Sequence, residues 1–267
     1  MAAVPLLDAR RLVAASVQAQ AQWAGLWQQH RGLQWWQSGL PAMAANLVVG
    51  CEADVSDRQL QALARWLARA GAPAGWLLWP DQAPQRQAAL LQSSGFGPCE
   101  RIWLASVAAA ALRCPELSGT CRQLGAADRP GLAALLQACH GVPAGLAAVV
   151  AAAFVAERPL RLDGGTAQLQ TFAVGAADPG PAASITALVW QPHAVGAQPC
   201  GALLWLGTHP AHRCQGYGTQ VTAAACRWLQ QQGAARLHVQ ASAAAIAIYQ
   251  GLGFAEDGWL ELWGCGG

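Results

Sequence analysis

Apolar positions along the chain recur either every three to four residues or in short unbroken runs, and Gly- and Pro-rich breaks separate them. Residues 7–30 read as a helix with Trp23 and Trp27 one turn apart, and the break at 39–41 precedes a short strand at 46–50. Ser56 opens the next helix as its N-cap, with Gln59 in the capping-box position three residues on. Its apolar face is Leu60, Leu63, Trp66 and Leu67, and Gly71 closes it. The run at 75–79 has strand length, a third helix extends to about Ser93, and a strand follows from Arg101 to near Val107.

A Pro-containing joint at 114–119 leads to a strand at 121–124 and a helix with Pro130 in its first turn, where a missing N–H costs little. An Ala-rich helix at 144–155 and three strands within 166–206 come next, with the turn-forming tract AADPGPAA between the first two strands. A long helix at 218–232 has Gly233 as its C′ residue, followed by a strand at 236–240, a helix at 243–250 and a last strand, WLELW.

The two halves share this grammar. RWL at 65–67 matches RWL at 227–229, and LLQSSGF at 90–96 matches IYQGLGF at 248–254. The offsets, 162 and 158, differ by four residues, a loop-length change. At about 150 residues per domain, a chain of 267 residues reads as two divergent copies of one domain, 1–116 and 117–267.

Composition narrows the function classes. The net charge is +2 and charged residues make up 11%, too weak a field to point to nucleic acid or anionic lipid. The longest uncharged apolar run, 141–156, has 16 residues with Pro143 near its start, short of a span and readable as a buried helix. The N-terminal MAAVPLLDARRL lacks a basic region and is interrupted by Asp8, so no secretory signal is expected. Nine cysteines without a CxxC suit reduced thiols in a cytoplasmic protein. Most of the 13 Trp fall on apolar positions and read as core; Trp35 and Trp36 lack clear periodicity and are candidates to line a site.

The richest stretch is GTHPAHRCQGYGTQV, residues 207–221, in which a buried strand runs into a loop whose Gly216 and Gly218 open a helix. A helix N-terminus offers free N–H donors and positive dipole charge, glycines allow close approach of an anion, and Arg213 adds a charge-assisted donor. A Walker-type loop would need GK[ST], and the chain has no lysine. His209 and His212 form an HxxH pair without the further ligands zinc requires, and no metal is expected.

In order and spacing these elements resemble the GCN5-related N-acetyltransferase (GNAT) superfamily. The family's R/Q-x-x-G-x-G/A signature stands here as Arg213, Cys214, Gln215, Gly216, Tyr217 and Gly218. Its N-x-x-A-x-x-x-Y-x-x-x-G-F signature stands as Ser242, Ala245, Tyr249, Gly253 and Phe254, with Ser in the place of the common Asn. The likeness covers residues 118–267, and the first half shares it in outline. It implies a mixed α/β fold of two tandem domains, each a central, mostly antiparallel sheet flanked by helices, with acetyl-CoA as co-substrate. Backbone at Leu206, Gly207 and Thr208 would pair with the pantetheine arm. N–H groups from Cys214 to Thr219 would hold the pyrophosphate, Ser242 would contact the cofactor, and Tyr249 would donate to the departing thiolate.

The implied reaction is direct attack by an amine of a small molecule or peptide, with Cys214 too far from the thioester carbon for an acyl-Cys route. Residues 201–206 carry no carboxylate to act as base, which leaves Glu157 and His238 as candidates, beside a water chain. In the first half, CEADVSD replaces the glycine loop and Leu91 takes the place of Tyr249, so no cofactor site is expected there. A non-catalytic acyl-CoA-binding or regulatory module is the alternative, and an interaction scaffold a third reading.

Overall fold

Gly25 ends the first helix earlier than its apolar spacing predicts. In the computed structural model, which describes residues 3–51, 55–116, 120–156, 159–162, 164–176 and 180–266, α1 spans Ala3–Ala21. Gly25, at φ +80°, then turns the chain into β1 (Leu26–His30), which pairs antiparallel with β2 (Leu33–Gln37). A Cβ at Gly25 would lie 2.2 Å from the Gln37 carbonyl oxygen, so the turn requires glycine. Trp27 is therefore a strand residue and not the helical neighbour of Trp23. Trp36, on β2, is wholly buried and donates its indole N–H to Ala24 O at 2.7 Å, which makes it core and not the lining of a site.

Two units divide the chain: Met1–Leu104 with Asp257–Gly267, and Ala105–Glu256. In the first, β3 (Asn46–Cys51) pairs antiparallel with β2 and parallel with β4 (Ala74–Leu78). Between them lies α2 (Asp57–Arg69), with the predicted capping box in place: the Ser56 N–H donates to Gln59 Oε1 at 3.0 Å. Leu60, Leu63, Ala64 and Leu67 are its buried face. Trp66 is 46% exposed, a departure from the predicted face, because at 100° per residue it lies about 110° off that stripe. After α3 (Pro84–Gln92) comes β5 (Gly97–Ala108), and β12 (Ala255–Cys265) pairs antiparallel with β4, Glu261 opposite Leu78. The strand order is β1-β2-β3-β4-β12-β5.

The second unit carries β6 (Arg122–Gln123), α4 (Arg129–His140), α5 (Ala144–Phe154), β7 (Leu160–Leu162) and β8 (Gly165–Val174). After these come β9 (Ala183–Pro192), β10 (Cys200–Thr208), α6 (Tyr217–Gln231), β11 (Arg236–Ala241) and α7 (Ile246–Gly251). Strands β6, β8, β9 and β10 are successively antiparallel, β11 joins β10 in parallel, and β7 hairpins onto β8. Mixed α/β architecture on mostly antiparallel sheets is thus the fold class, as expected. The Ala-rich run is α5, which buries Leu146, Val150 and Phe154 among others. No helix of the described residues is long and apolar enough to cross a membrane.

Candidate active site

Strand β10 does two things that an ordinary sheet strand does not. Its parallel pairing with β11 runs from Cys200↔Arg236 to Leu203↔Val239 and stops, although the strands continue to Thr208 and Ala241. On its other edge β10 stays paired with β9 through an irregularity: Leu204 faces Thr186, but Gly207 faces Ser184, so β10 has one extra residue. An extra residue bends the strand and takes backbone groups out of the ladder. Trp205 sits in the bulge at φ +52°, a left-handed conformation that costs a non-glycine residue about 1–3 kcal/mol. Leu206, Gly207 and Thr208 therefore lie on a stretch that has left the ladder with β11.

The loop after β10 is tied back onto it. The His209 N–H donates to Ala182 O at 2.8 Å, and Arg213 Nε donates to Thr208 O at 3.3 Å. Arg213, Cys214, Gln215 and Gly216 are exposed, and Cys214 (φ +60°) and Gly216 (φ +78°) both take the left-handed conformation. Gly216 is the N-cap of α6 and has no side chain to cap it. The first helical bond runs from the Gln220 N–H to Gly216 O at 3.0 Å, so the N–H groups of Tyr217, Gly218 and Thr219 belong to the turn a helix leaves without partners. Space in front of Gly216 is open: a Cβ there would meet only Gln220 Nε2, at 3.9 Å. Gly218 is buried, where a Cβ would press on Ile248 Cδ1 at 3.2 Å and Thr208 Oγ1 at 3.3 Å. This small residue lets β10, α6 and α7 converge, and the cradle fits an anionic group.

Tyr249, on α7, is 2% exposed, and its ring meets Phe254 edge-on at 5.6 Å. Burial first, and the neighbouring Cys226 thiol second, push its phenol well above the usual value. Ser242 is exposed at the head of a short turn, and its side chain makes no capping bond. His238 is 3% exposed, neither ring nitrogen has a hydrogen-bond partner among the described residues, and burial, then Arg236, holds its pKa down at about 4. Without a hydrogen-bond partner among the described residues, the ring has no neighbour through which to relay a proton. Glu157, the other candidate base by its place after the Ala-rich helix, lies outside the described residues. The His209 and His212 rings stand 5.7 Å apart, and no metal-binding group of three or more His, Cys, Asp or Glu occurs among the described residues.

Sequence reasoning missed His140. It is the last residue of α4, stopped there by Gly141 at φ +63°. Its ring packs edge-on against Trp205 at 5.1 Å and 81°, and its Nε2 would lie 3.3 Å from a Cβ at Gly207. The imidazole thus stands against the bulge. Although the residue as a whole is exposed, desolvation of its ring, with Arg213 second, pushes its pKa below the ordinary histidine value. A helix end brought to a strand 65 residues away leaves no local motif; a lone His before Gly is the only signal.

The corresponding place in the first unit is closed. β3 and β4 stay in register at Leu47↔Gly75 and Val48↔Trp76. At the next residue the Val49 carbonyl accepts the indole N–H of fully buried Trp79 at 2.8 Å. The N-terminus of α2 has its Ser56–Gln59 cap, and Leu91 is 2% exposed.

Residues 147–254 match the family model described as Acetyltransferase (GNAT) family. No curated protein matches the chain. Among solved structures, a GCN5-related N-acetyltransferase from Kribbella flavida is 20% identical with a TM-score of 0.62, over 97% of this chain and 95% of that one. A tandem GNAT protein from the clavulanic acid biosynthesis pathway is 14% identical with a TM-score of 0.55, over 87% of this chain and 78% of that one. At such identities these likenesses speak for the fold.

Proposed function

We propose that this chain, whose residues 147–254 match the acetyltransferase (GNAT) family model, is a GNAT acyltransferase that moves an acetyl group from acetyl-CoA to an amine by direct attack. The observation that carries the reading is the end of β10, which has left the ladder with β11, leading into the uncapped N-terminus of α6. Backbone at Leu206, Gly207 and Thr208 pairs with the amide-rich pantetheine arm and holds the thioester carbonyl. The pyrophosphate rests on the N–H groups from Cys214 to Thr219, with the Arg213 guanidinium beside it. Ser242 lies at the end of β11, across the gap from that arm.

His140 accepts the proton of the attacking amine, and its depressed pKa keeps the ring free to do so. Amine nitrogen bonds to the thioester carbon, the carbon–sulfur bond breaks, and coenzyme A leaves as its thiolate. Tyr249 meets that thiolate as a hydrogen-bond donor. Full transfer from an ordinary phenol to an ordinary thiolate is uphill by about 2 kcal/mol, and burial of Tyr249 enlarges the gap. Cys214 lies in the pyrophosphate loop, away from the acyl carbon. The halves are tandem copies, 1–116 and 117–267, of which the first binds no cofactor because Trp79 and the Ser56 cap occupy the equivalent groups.

Calorimetric titration of acetyl-CoA into the chain and its Gly216→Glu variant tests this. One molecule bound per chain, with binding lost in the variant, is expected. No binding by the wild type refutes the cofactor assignment, and two per chain refutes the closed first copy.

A further inference from the structure

Two cysteines far apart in sequence meet inside the second unit. Cys114 lies on the irregular stretch between β5 and β6, and its thiol and that of Cys226, on α6, are hydrogen-bond partners. The backbone on either side of Cys114 is tied down. Arg113 N–H donates to Leu252 O at 3.0 Å, and Pro115 O accepts from Arg227 Nη2, which also sets that guanidinium beside the pair. Gly253, at φ +97°, leaves room for this path: a Cβ there would lie 3.0 Å from Ala111 O and 3.7 Å from Arg113 Cγ.

The two thiols differ in access and in charge. Cys226 is wholly buried, whereas Cys114 is half-buried and lines a surface cavity of about 440 Å³. A small solute therefore reaches Cys114 first. The Cys226 S–H donates to the Cys114 sulfur and lowers the Cys114 pKa; burial opposes this, and Arg227 adds to it. The same bond first, and burial second, push Cys226 up. Cys121 shows the ordinary case: burial outweighs Arg227 and raises it, and its S–H donates to Gln220 O at 3.7 Å. The thiolate is the nucleophilic form, so Cys114 is the reactive member and Cys226 stands behind it.

We propose that Cys114 and Cys226 form a two-thiol site for hydroperoxides, closed by oxidation to a disulfide. This site is separate from the acyl transfer and needs neither of its substrates. The Cys114 sulfur attacks one oxygen of hydrogen peroxide; the sulfur–oxygen bond forms, the oxygen–oxygen bond breaks, and hydroxide leaves and is protonated to water. Cys114 is then a sulfenic acid. The Cys226 sulfur attacks the Cys114 sulfur, the sulfur–oxygen bond breaks, and the hydroxide departs with the Cys226 proton as a second water. Two thiols lose two electrons, and the peroxide gains them. A disulfide needs its sulfurs about 2 Å apart, and Cys114, outside helix and strand, is the partner that moves.

The test exposes the wild type to hydrogen peroxide for the time that consumes free glutathione in a parallel sample, then counts thiols after denaturation. The count should fall from nine to seven and the intact mass by two hydrogens, with dithiothreitol restoring both. Peptide mapping should find Cys114 linked to Cys226. Cys226→Ala should stop at the first step, with dimedone trapped on Cys114. Cys114→Ser, at a half-buried position outside regular structure, leaves the core intact and should lose no thiol pair. Nine thiols remaining in the wild type overturns the proposal. So does a link to any other cysteine, a lost pair in Cys114→Ser, or dimedone on exposed Cys99 or Cys214 in place of Cys114.

Discussion

Replacing His238 by leucine should make the fold less sensitive to acid. The imidazole is 3% exposed on β11, opposite Ala202, with both nitrogens unpartnered among the described residues, and its folded pKa is about 4 against about 6.5 in an unfolded chain. A depressed histidine pKa means that the unfolded chain binds the proton first. Stability is therefore complete above pH 6.5 and is lost as pH falls from 6.5 toward 4. Between pH 7.5 and 5.0 the loss from this one group is about 2 kcal/mol, approaching about 3.4 kcal/mol below pH 4. With a urea slope of about 3 kcal/mol/M, the midpoint of the second unit's transition drops by about 0.7 M at pH 5.0. His140 contributes in the same direction, and the Asp128 carboxyl, held low first by its bond from Arg122, also loses stabilisation in acid. Comparing wild type with His238→Leu at both pH values isolates His238. The variant should equal or exceed the wild type at pH 7.5, because two buried nitrogens without partners are removed. If both proteins lose the same stability between the two pH values, His238 is reached by water in the folded state, and the case against it as the base collapses.

Two predictions bear on turnover, read as thiol release with an amine found by screening. His140→Ala should lower kcat/KM by about 10²–10⁴-fold while leaving acetyl-CoA affinity within about twofold. In the wild type the acid limb of the profile should lie below pH 6.5, since the base works neutral and its pKa is depressed; a limb unchanged in the variant would remove His140 from the reaction. Tyr249→Phe should cost about 10–150-fold in kcat, the value of a hydrogen bond to a charged acceptor, with cofactor binding retained. Because the phenol is pushed up, the wild type should show no alkaline loss from Tyr249 below pH 10, and such a loss that vanished in the variant would show Tyr249 titrating normally.

Features that depend on neighbours along the chain are legible in the sequence. The Ser56–Gln59 cap, the αL glycines at Gly71, Gly216 and Gly233, and the strand–loop–helix around Arg213 are all local. Features that need the third dimension are not. β1 merges into a helix by pattern because LWQQH has no strand alternation, and only the steric demand at Gly25 separates the two. β2 and β7, of five and three residues, are too short to stand out in the pattern. Trp66 resembles a core residue until its angle around the helix is set against the stripe of leucines. Strand β12 lies within 117–267 in sequence yet pairs with β4 in the first unit, a register that no local pattern encodes. His140 belongs to the same class: its partners are Trp205 and Gly207, on an element far along the chain.

The two units treat a parallel strand pair differently, β3–β4 closing beyond its register and β10–β11 opening. Each opens with two parallel strands in register, and in each the register ends: after Leu203 in β10, after Val48 in β3. Backbone groups beyond that point must find partners or stay open to a ligand. In β3 the first such carbonyl, Val49 O, takes the indole N–H of Trp79, whose ring is itself covered by the Arg10 guanidinium at 5.6 Å. Arg10 is pinned in turn by Asp81 at 2.5 Å. The following helix N-terminus is satisfied by Ser56 and Gln59. In β10 the same stretch leaves the ladder with β11, because the bulge at Trp205 turns the strand, and a glycine stands where a capping side chain would be. Filling the gap with protein groups satisfies the backbone. Leaving it open keeps Trp205 in a strained conformation and the α6 N–H groups exposed, and both are sustained by the packing of Gly207 against His140 and of Gly218 against Ile248. That is why glycines stand where β10 meets α4 and where α6 meets α7.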